Sequence, residues 1–558
     1  MVDAHVSMSE IARRLRLTLP AVSNWRRRHP SFPASVDADG QELFAVEEMA
    51  DWLDNRRISK KNLGPDEFPG MTYGTRFRNA MDIAHASPDD MVGVLWRELV
   101  RLRGAGDIAV FADLTLTLLY LAIADEDRWN DIVAADGPRR ERLVGYEALY
   151  RDPLLLDLRE GSPALLDGVV GDHRLVEIVR LVERVRLSGR GIDVFESLLD
   201  RFAAEEGRRD LAVRTPAAIV RLLVELTDCM SGTSVFDPCC GSGEFLVGAA
   251  KHIEEHGGRP QAVAFTGRTL SARAASLARM NLRLRDVPAD VDATADTLFH
   301  DMRLLAAPEH FDVVLSNPPF DLKAPTDFHA QYGRLPKNRT SLAWLQYVML
   351  SLSDHGRAAV VMPGGTLFRG GAEEQVRVGM VDDGVVEAII ALPPRLFAST
   401  AVPVNVWLLR APEVPVKALL STPPAVPINT WSSTSPVWNN EQEILFIEAS
   451  GLGHMISRTQ RSLSDDDRCQ IVDTVHRWRE GNEYEDMPGF SASVMVERVR
   501  EQDYVLVPAR YVNATVESDT SFGIVRELRD ELTGLARHAA AVDAAVEQRL
   551  DGIRTWIR

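Results

Sequence analysis

The sequence predicts an α/β protein: an open, mostly parallel sheet with helices on both faces, preceded by a helix-turn-helix and a helical region and followed by one long helix. Three observations predict it. Between residues 215 and 410, short apolar strands alternate with segments of helical period. Two of those strands run straight into loops of small residues and prolines, where sheets of this kind bind ligands. The chain of 558 residues, 45% hydrophobic and 26% charged, is long enough for several folded units.

The elements follow in order. Ser9 to Leu15 reads as a helix, Arg16–Thr18 as a turn, and Pro20-Ala-Val-Ser-Asn-Trp-Arg-Arg-Arg28 as a second helix that Thr18 can cap, with Pro20 tolerated in its first turn. No acidic residue occurs from Ile11 to Val36, which leaves a local basic patch; Arg26, Arg27 and Arg28 are its candidate DNA contacts. With Leu43-Phe44-Ala45 as a wing strand and a last helix after it, the segment looks like a winged helix-turn-helix; a protein-docking domain with merely solvated arginines is the blander reading. Residues 75–210 have apolar residues at three- and four-residue spacing, as in Val92, Leu95, Leu99 and Leu102, and read as helix almost throughout. The strand candidates are Ser234–Asp237, Ala262–Thr266, Phe311–Ser316, Ala358–Met362, Val385–Leu392 and Val404–Leu409. Residues 411–440 hold six prolines and read as an insertion or linker. From about Ser521 to Arg558, apolar residues from Val525 to Ile557 form a coiled-coil seam that needs a partner surface, in another chain or in this one's helical region. The expected domains are therefore 1–62, 72–207, 208–412, 413–515 and 520–558.

Composition excludes some classes. Four cysteines without paired spacing suggest neither a disulfide framework nor a zinc site. The longest apolar run, Leu114 to Ala124, is too short to cross a bilayer, and no secretory signal is recognisable, so a cytoplasmic protein is expected. His252-Ile-Glu-Glu-His256 matches a zinc-protease pattern, but no third ligand is apparent and no metal is expected. The 57 arginines against 6 lysines suggest a GC-rich bacterial genome. A net charge of −18 is the wrong sign for gripping DNA alone, so a local basic surface or a partner must supply that grip.

Two motifs carry chemistry. In Val235-Phe-Asp-Pro-Cys-Cys-Gly-Ser-Gly-Glu-Phe-Leu246, a strand enters a small-residue loop and a helix follows at once. Gly241 and Gly243 allow close backbone approach and positive φ. Asp237, at the strand's carboxyl end, suits a cationic amino group. In Ser316-Asn-Pro-Pro-Phe320, the prolines stiffen the backbone and remove N–H donors. The side-chain oxygen of Asn317 and the carbonyl of Pro318 can then both accept hydrogen bonds from an exocyclic amino group, while Phe320 can stack on a flipped base.

Together these residues resemble the N6-adenine DNA methyltransferases, and more closely the modification subunits of type I restriction–modification systems. The resemblance runs from about Phe195 to Tyr511 and takes in Phe195–Phe202, Thr215-Pro216, both motifs, Ala295-Asp-Thr-Leu298, Gly356–Gly365, Leu367–Gly371, Leu392–Phe397, Ile444–Ala449 and Asp503–Tyr511. It implies a Rossmann-like sheet dependent on S-adenosylmethionine (SAM), with Thr215, Pro216, Asp237, Pro238, Gly241, Ser242, Gly243, Phe245, Thr269 and Asp296 toward the cofactor and Asn317, Pro318, Pro319 and Phe320 catalytic. It implies direct methyl transfer to adenine N6 without a covalent nucleophile, leaving Cys239 and Cys240 as small loop residues. It implies DNA as substrate, a specificity subunit docked through the C-terminal helix, and a restriction subunit as a further partner. Two positions depart from the family's pattern. Thr269 stands where an acid for the ribose is usual, and Arg214 where an aromatic is usual before Thr-Pro. They leave open a second reading, a non-catalytic DNA-binding or regulatory scaffold with a degenerate cofactor site.

Overall fold

The computed structural model describes residues 5–38, 41–59, 62, 72–74, 76–77, 91–97, 108–135, 172–206, 214–293, 310–320, 328–330, 332–335, 340–397, 402–411, 443–458, 460–481 and 484–512. The expected motif Ala295–Leu298 with Asp296, residues 412–442 and the C-terminal helix from Ser521 lie outside them.

At the N-terminus, β1 (His5–Ser7), α1 (Met8–Arg14), α2 (Leu19–Arg28), β2 (Ser35–Ala38), β3 (Gln41–Ala45) and α3 (Val46–Asp54) form one unit. Its three strands pair antiparallel in the order β1-β3-β2. Ile11, Leu15, Val22, Phe44 and Leu53 are buried together, and Tyr73 and Phe77 join that core from beyond residue 62. Arg76 is buried and donates to the Leu15 and Asn62 carbonyls, tying this later segment to the end of α1. Thr18 does precede α2, but its side chain makes no capping bond. Its carbonyl instead accepts from the Ala21 and Val22 N–H groups, so the backbone begins this helix.

A helical region follows: α4 (Ile108–Ala124), α5 (Glu126–Ala134), α6 (Asp172–Leu187) and α7 (Gly191–Glu206). Residues 91–97 are helical too, and Leu95 and Trp96 pack into the same core.

The sheet region contains α8 (Ala217–Leu226), β4 (Ser234–Asp237), α9 (Glu244–Glu255), β5 (Ala264–Thr269), α10 (Ala272–Arg283), β6 (Ala289–Ala293) and β7 (Phe311–Ser316). A short ladder of β8 (Phe328–Ala330) and β9 (Gly333–Leu335) comes next. Then follow α11 (Ser341–Leu350), β10 (Leu352–Pro363), α12 (Ala372–Asp382), β11 (Val386–Ala391), β12 (Val404–Arg410) and β13 (Glu443–Glu448). A second small ladder, β14 (His454–Met455) with β15 (Arg461–Ser462), precedes α13 (Asp465–Glu480), β16 (Ser491–Met495), α14 (Val496–Glu501) and α15 (Ala509–Val512). The nine-stranded sheet has the order β16-β13-β11-β12-β10-β7-β4-β5-β6.

The sheet is mostly parallel, as expected, but two of its nine strands run the other way. β12 runs antiparallel between β10 and β11, and β16 antiparallel beside β13. Strands buried on both faces show no alternation of polar residues that would reveal direction, so β12 reads from sequence like any other apolar strand. Bounds shift as well. The strand expected at Ala262–Thr266 is Ala264–Thr269, because Pro260–Ala262 forms a single 3-10 turn before it. The one expected at Ala358–Met362 is longer and runs Leu352–Pro363.

Successive strand residues feed opposite faces. Val313 and Leu315 join the core under α8, α9 and α13, whereas Val314 joins the core under α11 and α12. α10 is buried on two sides: Ala275, Ala278 and Leu282 face the sheet core, and Leu277 and Met280, with Leu284 just past its end, the helical core. Two arginines of the sheet region reinforce that junction. Arg273 grips the buried Asp113 at 2.8 Å through two oxygens, and Arg285 reaches Glu196 of α7 at 2.7 Å.

Candidate active site

β5 pairs with one edge of β4 and β7 with the other, all parallel, so the connections after β4 and β7 part to opposite sides and leave a crevice at their carboxyl ends. Phe236 lies beside Val314, which places Asp237 and Asn317 at the same end of adjacent strands. The two motifs, some 80 positions apart in sequence, thus share one crevice.

The loop after β4 is held from several directions. The Cys240 N–H donates to the Arg268 carbonyl of β5 (2.8 Å), the Gly243 N–H to Cys240 (2.6 Å), and the Asn281 amide of α10 to the Ser242 carbonyl (2.9 Å). Gly241 and Gly243 have φ of +52° and +85°, in the left-handed region that favours glycine. A Cβ at Gly241 would meet only Glu244 Oε2, at 3.4 Å, so the loop turns an open cradle outward there. Gly243 caps α9, and Glu244 and Phe245 start it. The Glu244 carboxylate in this first turn complements the helix dipole, while Phe245 is buried beneath the loop.

Asp237 is 1% exposed and accepts the Cys239 N–H at 2.9 Å. Burial pushes its carboxyl well above the usual carboxylate range, and the nearby Glu244 charge adds to the push. The same burial raises the Cys239 and Cys240 thiols, which makes them poor nucleophiles. A buried carboxylate beside an open glycine cradle fits a small cationic ligand with close backbone contact.

Arg214 fills the position of the usual aromatic. It donates to Ser242 Oγ (3.1 Å) and Glu244 Oε1 (2.9 Å) and also binds Asp200 of α7. Burial pulls its pKa down, but Glu244 and Asp200 more than reverse that. The departure is thus a buried ion pair joining the loop to the helical region. Nothing in the sequence linked Arg214 to Glu244, 30 positions on.

Thr215 is buried, and its hydroxyl accepts from the Asn317 amide at 3.1 Å. That contact fixes the amide so that Asn317 Oδ1 is left as an acceptor. Expected on the cofactor side, Thr215 is placed by this bond against Asn317, with Pro216 as the N-cap of α8 behind it. Pro238 and Pro318 are buried, Pro319 half-buried, and Phe320 packs half-buried against the sheet core, its carbonyl held by Ser341 Oγ at 2.9 Å. Thr269 ends β5 beside Ala293 and is buried, one strand away from Asp237. Ser341, Asn281 and Glu244 were not found from sequence, because each acts through a neighbour distant along the chain. Among the described residues no group of three or more His, Cys, Asp or Glu could hold a metal ion; the His252 and His256 rings lie 4.2 Å apart, tilted by 42°.

The fold, the glycine cradle and the Asn-Pro-Pro-Phe strand end define a class, and the chain belongs to it: the N-6 DNA methylase family, whose profile matches residues 191–520. More particularly, it is similar to the methylase subunit of the type I restriction enzyme HindI of Haemophilus influenzae, 29% identical over 385 residues, covering 66% of this chain and 80% of that one. It is also similar to the MpnII methylase subunit of Mycoplasma pneumoniae, 24% identical over 69% of this chain and 68% of the relative. Two solved structures share its fold. A type I restriction–modification methyltransferase subunit from Streptococcus thermophilus has a TM-score of 0.54 and 22% identity, over 77% of this chain and 100% of that one. A chain from a structural study of type I complex assembly has a TM-score of 0.57 and 22% identity, over 82% and 99%. Among the described residues, no helix is long and apolar enough to cross a membrane.

Proposed function

We propose that this chain methylates N6 of adenine in DNA with SAM as donor, acting as the modification subunit of a type I complex. The observation that carries the reading is the Asn317–Thr215 bond. It leaves Asn317 Oδ1 as an acceptor for one hydrogen of an exocyclic amine, and the Pro318 carbonyl, next in the chain, is the proposed acceptor for the other. SAM, when bound, supplies an already activated methyl group. The residues that would hold it are Asp237 toward the ammonium, Gly241, Ser242 and Gly243 along its backbone contacts, and Thr269 toward the ribose, with Pro216, Pro238 and Phe245 shaping the loop around them. Asn317 and Pro318 accept hydrogen bonds from the amine, which shifts electron density onto its nitrogen and raises its nucleophilicity; one amine proton is lost to solvent as the methyl group is gained, Pro319 keeps the turn rigid, and Phe320 holds the base. Asp296 is proposed as a contact to the cofactor or the target adenine on resemblance alone.

The remaining regions fit the same proposal. Residues 1–62 form a winged helix-turn-helix, 72–207 a helical domain, 208–412 the catalytic domain and 413–515 its extension. The helix at 520–558 docks a specificity subunit that supplies much of the DNA grip this acidic chain lacks. A restriction subunit joins as in type I systems, in the bacterial cytoplasm. Arg214 does not favour the scaffold reading, since Glu244 and Asp200 meet its charge and its bond to Ser242 Oγ leaves the open side of Gly241 unfilled.

The test is transfer of labelled methyl from SAM to duplex DNA by the purified chain, alone and with its partner subunit, followed by nucleoside analysis. Label in N6-methyl-2′-deoxyadenosine that disappears in Asn317→Ala is expected. Binding of SAM without any transfer in the presence of the partner, or label in RNA or protein instead, would overturn the assignment.

A further inference from the structure

The basic patch that the sequence places in the second helix is divided by the fold. Arg13 and Arg14 both bond Glu10 of their own helix. Arg26 binds both carboxylate oxygens of Glu42 on β3 and lies over the Phe44 ring, with 5.7 Å to its centroid. All three are engaged by carboxylates of the unit, two of them sharing Glu10. Arg27 bonds only the neutral Asn24, and Arg16 and Arg28 have no side-chain partner among the described residues. All three are exposed.

Their placement is consistent. Val22 of α2 is buried in the unit's core, so Pro20, Ser23 and Arg27 ride on the opposite, exposed side of that helix. Arg16 sits in the turn that leads into it. Helix-dipole complementarity accounts for basic residues in the last turn of α2, but not for Arg16. That residue occupies a left-handed conformation, φ +54°, which glycine or asparagine would adopt with less strain. On the wing, Glu42 of β3 is already taken by Arg26. Among the described residues of the unit, the exposed arginines without a carboxylate partner are Arg16, Arg27 and Arg28, on the turn and the outer part of α2, and Arg57 beyond α3.

We propose that this face is a DNA-contacting surface separate from the methylation site, with Arg16, Arg27 and Arg28 on backbone phosphates and α2 laid against a groove, while Arg26 and the wing take no part. Arg26, expected from sequence among the DNA contacts, is structural: it neutralises Glu42. A surface of three arginines gives weak, sequence-tolerant attachment, suited to holding duplex near the crevice of a chain whose net charge of −18 repels it.

The test is binding of the full chain to a fluorescent duplex made only of G·C pairs, which offers no adenine to the methylation site. Three phosphate contacts predict a slope of about −2.7 in log K against log salt, or roughly a 40-fold loss between 50 and 200 mM. Replacing Arg16, Arg27 and Arg28 by alanine should bring the slope near zero, and replacing them by lysine should keep it. The pair Arg26→Ala/Glu42→Ala, which removes a neutral couple, should leave it unchanged. An unaltered far-ultraviolet circular dichroism spectrum and melting temperature in each variant exclude misfolding, and the lysine set provides a second check. Binding with the full slope by the alanine variant, equal loss in the Arg26/Glu42 pair, or no binding by the natural chain at 50 mM salt would each overturn the proposal; the last would make the face a protein-docking surface. Because Asn317→Ala should bind this duplex normally, failure here and failure of the methylation reading remain distinguishable.

Discussion

Two carboxylates of the same sheet, Asp237 on β4 and Glu387 on β11, are buried to nearly the same degree, 1% and 4% exposed, yet are treated in opposite ways. Burial alone pushes both upward in pKa. At Asp237 the Glu244 charge adds to that push, and the carboxyl ends well above its usual range. At Glu387 the Arg479 guanidinium, bonded to both oxygens at 2.9 and 2.8 Å, and the Arg357 charge reverse it, and the group ends below its usual value. Arg479 also caps the Leu226 carbonyl and reaches Asp228. The β11 half of the sheet thus uses a buried charge as a tie between α13, α8 and the strands. In the β4 half, no cation among the described residues bonds the buried Asp237 carboxyl. An uncompensated carboxylate is a liability to the unliganded fold and an asset where a cation must bind.

The contrast can be broken most severely at the tie. Arg479→Ala should destabilise the protein by about 3–5 kcal/mol, because it strands a buried carboxylate. Urea unfolding would measure it, and replacing Glu387 and Arg479 together by methionine should recover most of the loss. The sign follows from Glu387: a lowered folded-state pKa contributes stability that is present above the unfolded value and lost as pH falls through the folded one. The variant should lack that acid-side loss. A cost below about 1 kcal/mol would mean that the tie is no more than a surface pair.

Asp237→Asn should act in the reverse sense. Its raised pKa means that the folded state holds the proton more tightly than the unfolded chain. The carboxyl's contribution to unliganded stability is therefore lost as pH rises from the usual carboxylate range through the raised value. Above that window the amide variant should melt ~2–5 °C higher than the natural chain while binding SAM ~10- to 100-fold more weakly. Calorimetry of both proteins across pH checks this, and SAM affinity of the natural chain should strengthen over the same rise. A variant that is less stable and binds normally would place Asp237 among the structural carboxylates.

The smallest change sharpens the comparison between cofactor and substrate sides of the crevice. Thr215→Val removes the acceptor for the Asn317 amide and should lower kcat about 5- to 10-fold, the worth of one buried hydrogen bond, with SAM affinity unchanged. Thr215→Ser, which keeps the hydroxyl, should restore the rate. A loss of SAM affinity that matches the loss of rate would return Thr215 to the cofactor side.

Much of the crevice was legible because its chemistry is local. Asp237, Gly241 and Gly243 lie within one strand-to-helix turn, and Asn317 to Phe320 within one strand end. Each turn demands particular residue types for conformational reasons that short stretches display. Thr215, Arg214 and Ser341 were read less well or not at all, since their contacts are with Asn317, Glu244 and Phe320, set by how α8, α9 and α11 pack. The basic patch shows the same limit. Six arginines in an acid-free stretch announce positive charge, but which of them remain uncompensated depends on Glu42, delivered by a strand from outside that stretch.

The sequence by itself determined the element types, the α/β class, the two motifs and the family resemblance, because periodicity and turn chemistry act over a few residues. Only the tertiary structure decided strand direction at β12 and β16, the neighbouring of Asp237 and Asn317 at the ends of adjacent strands, and which buried charges are paired. Those depend on contacts between residues far apart in the chain, where an apolar strand carries no mark of its direction and a charged side chain none of its partner.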